Sequence, residues 1–283
     1  MPLKMFNETE SQPTIKNIIA IAAGKGGVGK SSVTVNLALA LRFLGYSVGI
    51  MDTDIYGPSI RKMMPENKLP EQRGQTIIPA ICQGIKMISM AYFRKENEAA
   101  VIRAPIANGV ITQFIKNVDW GSLDYLLIDF PPGTGDVQLT LSQQANLSGA
   151  IMVTTPQEVA VMDVRKAINM FEQVRIPIIG IVENMSYYYH KKTEEMIYIF
   201  GKGGGEKLAR EFGVPYLGGI PLDPLLCLYG DQGSSIFSED HPDIISKKVF
   251  IDIAKQVMEH LDLMKDQTKN SLNHIDLTWK VMA

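Results

Sequence analysis

Residues Gly24-Lys25-Gly26-Gly27-Val28-Gly29-Lys30-Ser31, followed by Ser32, have the types and spacing that bind phosphate. In a run of the form GxxxxGK[ST], the glycines let successive backbone N–H groups turn toward one anion. Lys30 is placed to neutralise β- and γ-phosphates, and the Ser31 hydroxyl suits a Mg²⁺ ion. Gly24, Lys25, Gly26, Gly27, Val28, Gly29, Lys30, Ser31 and Ser32 are therefore the candidate phosphate-binding residues. At average residue usage the bare pattern arises by chance in roughly one chain of this length per hundred. Its placement carries more weight: an apolar run at 18–23 precedes it, and helical spacing of Val33, Leu37, Leu41 and Leu44 follows. A strand, a glycine-rich turn and a helix start aim the helix's positive end at the same anion.

Three acids are candidates for the rest of the chemistry. Asp52 and Asp54 stand at the end of an apolar run, and Asp129 ends the run 125–129. Carboxyl ends of parallel strands are where an open α/β sheet binds its ligand. Asp54 is assigned to activating the attacking water and counted with Lys25 and Lys30 as catalytic. Ser31, Asp52 and Asp129 are assigned to the metal, the two acids through its bound waters. The loop 130–136 has two prolines that stiffen it and two glycines that let its backbone approach a γ-phosphate.

Strand-like runs at 18–23, 47–52, 86–90, 125–129, 150–154, 176–183 and 216–220 position these groups. Between or after them, helical patterns fall at 30–44, 106–115, 137–145, 159–173, 206–212 and 244–263. This alternation predicts an α/β P-loop NTPase, a mostly parallel sheet with helices on both faces. One domain is expected over 16–265, with a flexible arm at 1–15 and a tail at 266–283. The polar stretch 65–84, with Pro70 and Pro79, predicts an excursion off the sheet. Gly203-Gly204-Gly205 predicts a turn, and Tyr187-Tyr188-Tyr189 a strand and hairpin packing alternate rings on the domain.

The 283 residues carry a net charge of −2, with 46% hydrophobic and 20% charged residues, an ordinary globular composition without a field that would attract nucleic acid. No apolar run is long enough for a bilayer, and the first residues lack a secretory pattern, so the expected location is cytoplasmic, with neither nucleic acid nor membrane as partner. Cys82 and Cys227 are 145 positions apart and are each expected to be buried and unpaired.

The extra Lys25 inside GKGGVGKS resembles the deviant-Walker ATPases, the group of ParA, MinD and the nitrogenase iron protein. Within it the chain looks specifically like the Mrp/ApbC family of ATP-dependent iron–sulfur cluster carriers. The matching stretches are DIYGPS at 54–59, DWGSLDYLLID at 119–129, PPGTGDVQLTL at 131–141, VENMS at 182–186, IFG at 199–201 and IPLD at 220–223. The resemblance covers about residues 16–260. It implies ATP as the nucleotide, a homodimer across the nucleotide face with Lys25 reaching the partner's phosphates, and adenine contacts from Asn184, Pro221 and Asp223. It also implies an iron–sulfur client or scaffold protein as partner.

One departure bears on the cargo. The family's CxxC, two thiols per subunit for a bridging [4Fe–4S] cluster, falls at His190 and Thr193 here. A cubane takes four thiolate-type ligands, and that loop has no thiol, so a cluster held in the family's way is not expected. Two other readings stay open: an ATP-switched dimeric interaction protein without a cluster, and a ParA/MinD-like positioning ATPase. ATP is preferred to GTP because Asn184 is followed by Met185 and Ser186, without the Lys and Asp of a guanine motif.

Overall fold

The computed structural model describes residues 14–54, 57, 59–93, 104–238 and 244–281. The chain opens with β1 (Ile15–Ala23), α1 (Lys30–Phe43), β2 (Val48–Asp52) and a short α2 (Ile60–Met63). The next stretch holds β3 (Glu71–Arg73), β4 (Thr76–Ile78), β5 (Ala80–Cys82) and β6 (Ile85–Ser89). Then come α3 (Ala104–Asn117), β7 (Leu123–Asp129), α4 (Asp136–Gln144), β8 (Gly149–Thr154) and α5 (Glu158–Gln173). The last part contains β9 (Ile178–Glu183), β10 (Tyr188–His190), β11 (Glu195–Ile197), α6 (Gly204–Phe212), β12 (Tyr216–Gly219), α7 (Pro224–Gln232) and α8 (Ile245–Val281).

Eight strands form one sheet in the order β12-β9-β8-β1-β7-β2-β6-β5. Every pairing is parallel except β5 with β6. Alternate residues of β1 feed opposite cores, as the two-residue period of a strand requires. Ile19, Ile21 and Ala23 join Leu37, Leu41 and Phe250 on one face. Ala20 and Ala22 join Phe114, Leu141 and Phe171 on the other. Each large side chain buried this way contributes roughly 1.5–3 kcal/mol. The expected α/β architecture is thus present, and no helix among the described residues is long and apolar enough to cross a membrane.

Several segments differ from the sequence expectation. The stretch 65–84 leaves the main sheet only in part: β3 and β4 pair with each other apart from it, but β5 adds antiparallel to its edge, with Ala80 and Cys82 fully buried and Ile81 exposed, the alternation of a half-buried strand. Cys227 is exposed rather than buried, because it lies on α7, a helix the spacing did not reveal. Its start was nonetheless written in the sequence: Asp223 accepts from the Leu225 N–H as an N-cap, and Pro224 occupies the first turn. Helix α8 runs past 263 to Val281, over a stretch without Gly or Pro to stop it. The three glycines at 203–205 lead straight into α6, whose start is held by the buried Glu183 accepting from the Gly205 N–H at 2.6 Å. Residues 1–13 of the expected arm, and Ile55, Tyr56 and Pro58 of the 54–59 stretch, lie outside the described residues.

Candidate functional site

The end of β1 delivers the chain into the glycine loop, and α1 begins at Lys30. Gly24 passes so close to α5 that a Cβ would lie 2.1 Å from the Asp163 carbonyl carbon. Gly29 sits at φ +81°, in the left-handed region that glycine tolerates best, and caps α1 without any side-chain hydrogen bond. The first-turn N–H groups of α1 are thereby left to an anion.

Strand register assembles the acids. Asp52 on β2 lies opposite Asp129 on β7 and, on its other side, opposite Ser89 on β6. Three side chains distant in sequence therefore meet at the carboxyl ends of three adjacent strands. The Lys30 Nζ is 2.8 Å from Asp129 Oδ2 and 3.8 Å from Asp54 Oδ2, and all three groups are nearly buried. Ser31 Oγ donates to Asp129 Oδ2 at 2.7 Å, and Thr34 Oγ1 donates to Asp129 Oδ1 at 2.8 Å. The Asp54 N–H donates to Asp52 Oδ1 at 3.2 Å, and Ser89 Oγ donates to Asp52 Oδ2 at 2.7 Å. Burial, reinforced by the negative charge of Asp129, pushes the Asp52 carboxyl up to about 7.

Above these groups a cavity of about 600 Å³ is lined by Lys25, Gly27, Gly29, Lys30, Ser31 and Asp54, with Gly26 and Ser32 also on its wall. Lys25 is half-buried and makes no ion pair with any described residue. Asp52 and Asp129 lie beneath the cavity wall rather than in it. Asp129 faces the cavity through Ser31 and Lys30, and Asp52 through the backbone of Asp54. Hard oxygen donors from Ser31 and these carboxylates match the chemistry of Mg²⁺.

A second cavity of about 340 Å³ adjoins the first, sharing Gly29, Ser32, Met63 and Asp231 with it. Asn184, Pro221 and Asp223 all line it, beside Met185 and Leu226. The first cavity is lined by the glycine loop with its lysines and by Asp54, and the second mainly by apolar groups of the 184–185 and 221–227 segments. Two of the three expected base-contact residues are already engaged. Asn184 Nδ2 donates to the Val28 carbonyl at 2.9 Å, fastening β9 to the glycine loop. Asp223 accepts from Leu225 N at 3.0 Å and from Ser246 Oγ at 2.8 Å, joining α7 to α8. Val28 is buried, and its carbonyl is the loop's anchor.

Sequence reasoning did not find Thr34, Ser89 or the bond from Asn184 to the loop. Thr34 had a local signal, one turn beyond Lys30 on α1. Ser89 had none, since its role comes from strand register.

The hairpin β10–β11 holds His190 and Thr193, with His190 Nδ1 2.9 Å from Thr193 Oγ1 and Thr193 Oγ1 donating to Glu195 Oε2 at 3.0 Å. Tyr187, Tyr188 and Tyr189 are all half-buried, so the rings do not alternate between core and solvent as expected. Cys82 is buried in the edge strand, with its thiol pushed up to about 12 by desolvation, and Cys227 lines the second cavity. Among the described residues no group of three or more His, Cys, Asp or Glu is arranged to hold a metal ion by itself.

Residues 14–258 match the family described as ParA, NUBPL iron-transfer P-loop NTPase. The chain is 44% identical over 253 residues to the iron-sulfur cluster carrier protein of Aquifex aeolicus, covering 87% of this chain and 69% of that one. With the protein of the same name from Methanocaldococcus jannaschii it shares 46% identity over 261 residues, 91% of this chain and 89% of the relative. Among solved structures it resembles a nucleotide-binding protein from Archaeoglobus fulgidus in complex with ADP. The TM-score is 0.68 at 38% identity, over 81% of this chain and 93% of that one.

Proposed function

Because the chain belongs to the ParA family of P-loop NTPases, in its iron-transfer group, we propose that it is a slow Mg-ATP-hydrolysing switch. The switch closes as a homodimer across the nucleotide face and serves a client or scaffold protein of iron–sulfur assembly. One observation carries this reading above the others. Lys30 is fixed by buried carboxylates, whereas Lys25, at the mouth of the same cavity, has no ionic partner among the described residues.

In this reading the loop N–H groups and Lys30 bind the β- and γ-phosphates, whose oxygens replace Asp54 as partner of the ammonium. Ser31 would ligate Mg²⁺, while Asp129 and Asp52 would hold its waters; the ion would supply charge neutralisation to the phosphates. The attacking water's oxygen bonds to the γ-phosphorus as the bond to the β-phosphate oxygen breaks, and Asp54 takes the water's proton. Lys25 of each subunit completes the partner's site, adding positive charge where the transition state spreads its negative charge. Asn184 and the 221–223 loop enclose the adenine. The names of the relatives point to iron–sulfur traffic as the process served. The donor set at the hairpin, His190, Thr193 and Glu195, does not fit a cubane, and the switch works without one.

Lys25→Ala tests the core of the proposal. It should bind ATP about as tightly as the unmodified chain, fail to dimerise with ATP in analytical ultracentrifugation, and hydrolyse about 1,000-fold more slowly or worse, the scale of other transition-state cations. Unchanged hydrolysis in this variant would remove the trans-lysine and the closed dimer from the mechanism.

A further inference from the structure

On the far side of the 221–223 loop lies a cavity of about 500 Å³ that phosphate chemistry does not use. Tyr188, Tyr189, Lys191 and Lys192 of the hairpin form one wall, and Leu225 and Ile245, from the starts of α7 and α8, form the other. The apolar groups are half-buried and the lysines exposed, so the pocket has an oily interior and two lysines on its rim, while the Asp223 carboxylate on its wall is taken up by the Leu225 N–H and Ser246 Oγ. Neither lysine is ion-paired with any described residue. The hairpin continues into Ile197, Tyr198, Ile199 and Phe200, all exposed. Ile197 pairs with Tyr188 across the hairpin, so apolar groups continue from the cavity wall along the strand, and Lys202 Nζ lies 4.7 Å from the centre of the Tyr198 ring. An extended strip of this kind suits a peptide better than a small molecule.

Position ties this cavity to the nucleotide. Pro221, Leu222 and Asp223 line both it and the base cavity, forming a shared wall. The Leu222 N–H donates to the Tyr187 carbonyl at 2.7 Å, which fixes the wall to the hairpin. Asp223 fixes it to α7 and α8. A ligand that moves the wall from either side changes the other side's affinity by the same factor, because linkage is reciprocal.

We propose that this cavity docks an acidic segment of a partner protein, and that docking is linked to the nucleotide through the 221–223 loop. An apolar side chain enters between Tyr188 and Leu225, while carboxylates meet Lys191 and Lys192. The linkage half rests on the switch reading above; the docking half does not.

The test selects random twelve-residue peptides displayed on phage against the full chain, then titrates the enriched sequences, synthesised with fluorescein, by anisotropy. The enriched peptides should be net negative with a bulky apolar residue, and should bind more weakly as salt rises. Lys191→Glu with Lys192→Glu should weaken binding at least tenfold without moving the thermal midpoint. Exchanging ADP for a non-hydrolysable ATP analogue should shift peptide affinity by about 5- to 150-fold. Neutral or basic enriched sequences, or affinity untouched by the double variant, would overturn the docking site. Free N-acetyl-phenylalanine binding as tightly as the peptides would reassign the cavity to a small carboxylate. Self-association that blocks the peptides would give the surface to a second copy of the chain. Either result would overturn the peptide as occupant. Peptide binding indifferent to nucleotide would overturn the linkage alone, and the ATP-dependent dimerisation of the unmodified chain would report separately on the switch.

Discussion

The phosphate site and the β10–β11 hairpin are built on opposite principles. At the phosphate site Lys30, Asp52, Asp54 and Asp129 are nearly buried, and each is held by two or more neighbours, from helix α1, the strand ends and the loop after β2. On the hairpin every residue from 191 to 200 is exposed. Charge chemistry needs a dry, preorganised setting, because fixed partners act strongly there and need not reorganise. A surface that meets partners can change its side chains without disturbing the sheet. This difference explains how His190 and Thr193 occupy positions the resemblance assigns to thiols while the phosphate loop and its acids keep their residues.

The largest effect is expected where burial is deepest. Lys30→Ala would leave Asp129 and Asp54 facing the phosphates without a cation. Breaking a buried pair by removing one partner costs about 3–5 kcal/mol. ATP binding should fall below detection in calorimetry, and the denaturant midpoint should fall with it. Measurable ATP affinity in this variant would show that the loop amides alone can hold the phosphates.

The next effect tests whether the hairpin lost only its thiols. His190 and Thr193 side chains already meet at 2.9 Å, so paired cysteines there would converge. His190→Cys with Thr193→Cys, reconstituted anaerobically, should gain about four irons per dimer, the content of one [4Fe–4S] cluster, over a background reading in the unmodified chain. Equal iron in both proteins would break the comparison in one of two ways. At background, the hairpin has lost more than sulfur; at four irons, other ligands hold the cluster.

Much of the phosphate site was legible because its chemistry demands particular residues at fixed spacing within one short segment. Gly24 to Ser32 are local in sequence, and Asp52 and Asp129 each end an apolar run that announces a strand. Ser89 and Thr34 escaped because a serine or threonine hydroxyl looks the same whether it faces water or a buried carboxylate. Only the pairing of β2 with β6 makes Ser89 a partner of Asp52. The role of Asn184 escaped for the same reason, since the distance from β9 to Val28 is a property of the folded sheet. The hairpin cavity has walls 37 and 57 positions apart in sequence, as Tyr188 faces Leu225 and Ile245, and no periodicity encodes such a meeting. Helix α7 is the instructive miss, for Asp223-Pro224 is a helix-start signal that its short apolar run obscured.

A smaller effect separates the regions by pH. The Asp52 carboxyl ordinarily titrates near 3.8 and is pushed up to about 7 by burial and by Asp129. Below pH 4 the folded and unfolded chains both hold this proton. Between pH 4 and 7 the unfolded chain releases it while the folded chain keeps it, so stability falls as pH rises. Above 7 both are ionised and the curve flattens. The loss should be on the order of 3 kcal/mol across that window, and Asp52→Asn should remove this component. Urea titrations at pH 5, 6, 7 and 8 would measure it. Parallel pH curves for both proteins would show that Asp52 is ionised in the fold and that the pair is compensated differently.

The smallest effect is expected on the hairpin strip, and it puts the exposed half of the comparison at risk. Ile199 is 57% exposed and Met196 is 52% exposed. Side chains that stay in water when the chain folds contribute little, so Ile199→Ser or Met196→Ser should change stability by less than about 0.5 kcal/mol. Neither should alter ATP affinity, because neither side chain lines the phosphate cavity or the cavity beside it. The measurement is a denaturant midpoint at two protein concentrations a hundredfold apart. A surface that another copy covers would lose stability on substitution, and the loss would grow with concentration, since association adds to apparent stability by mass action. A loss above 1 kcal/mol at both concentrations would instead mean that the strip packs against its own chain. Only a small loss independent of concentration leaves it free for a partner of different sequence.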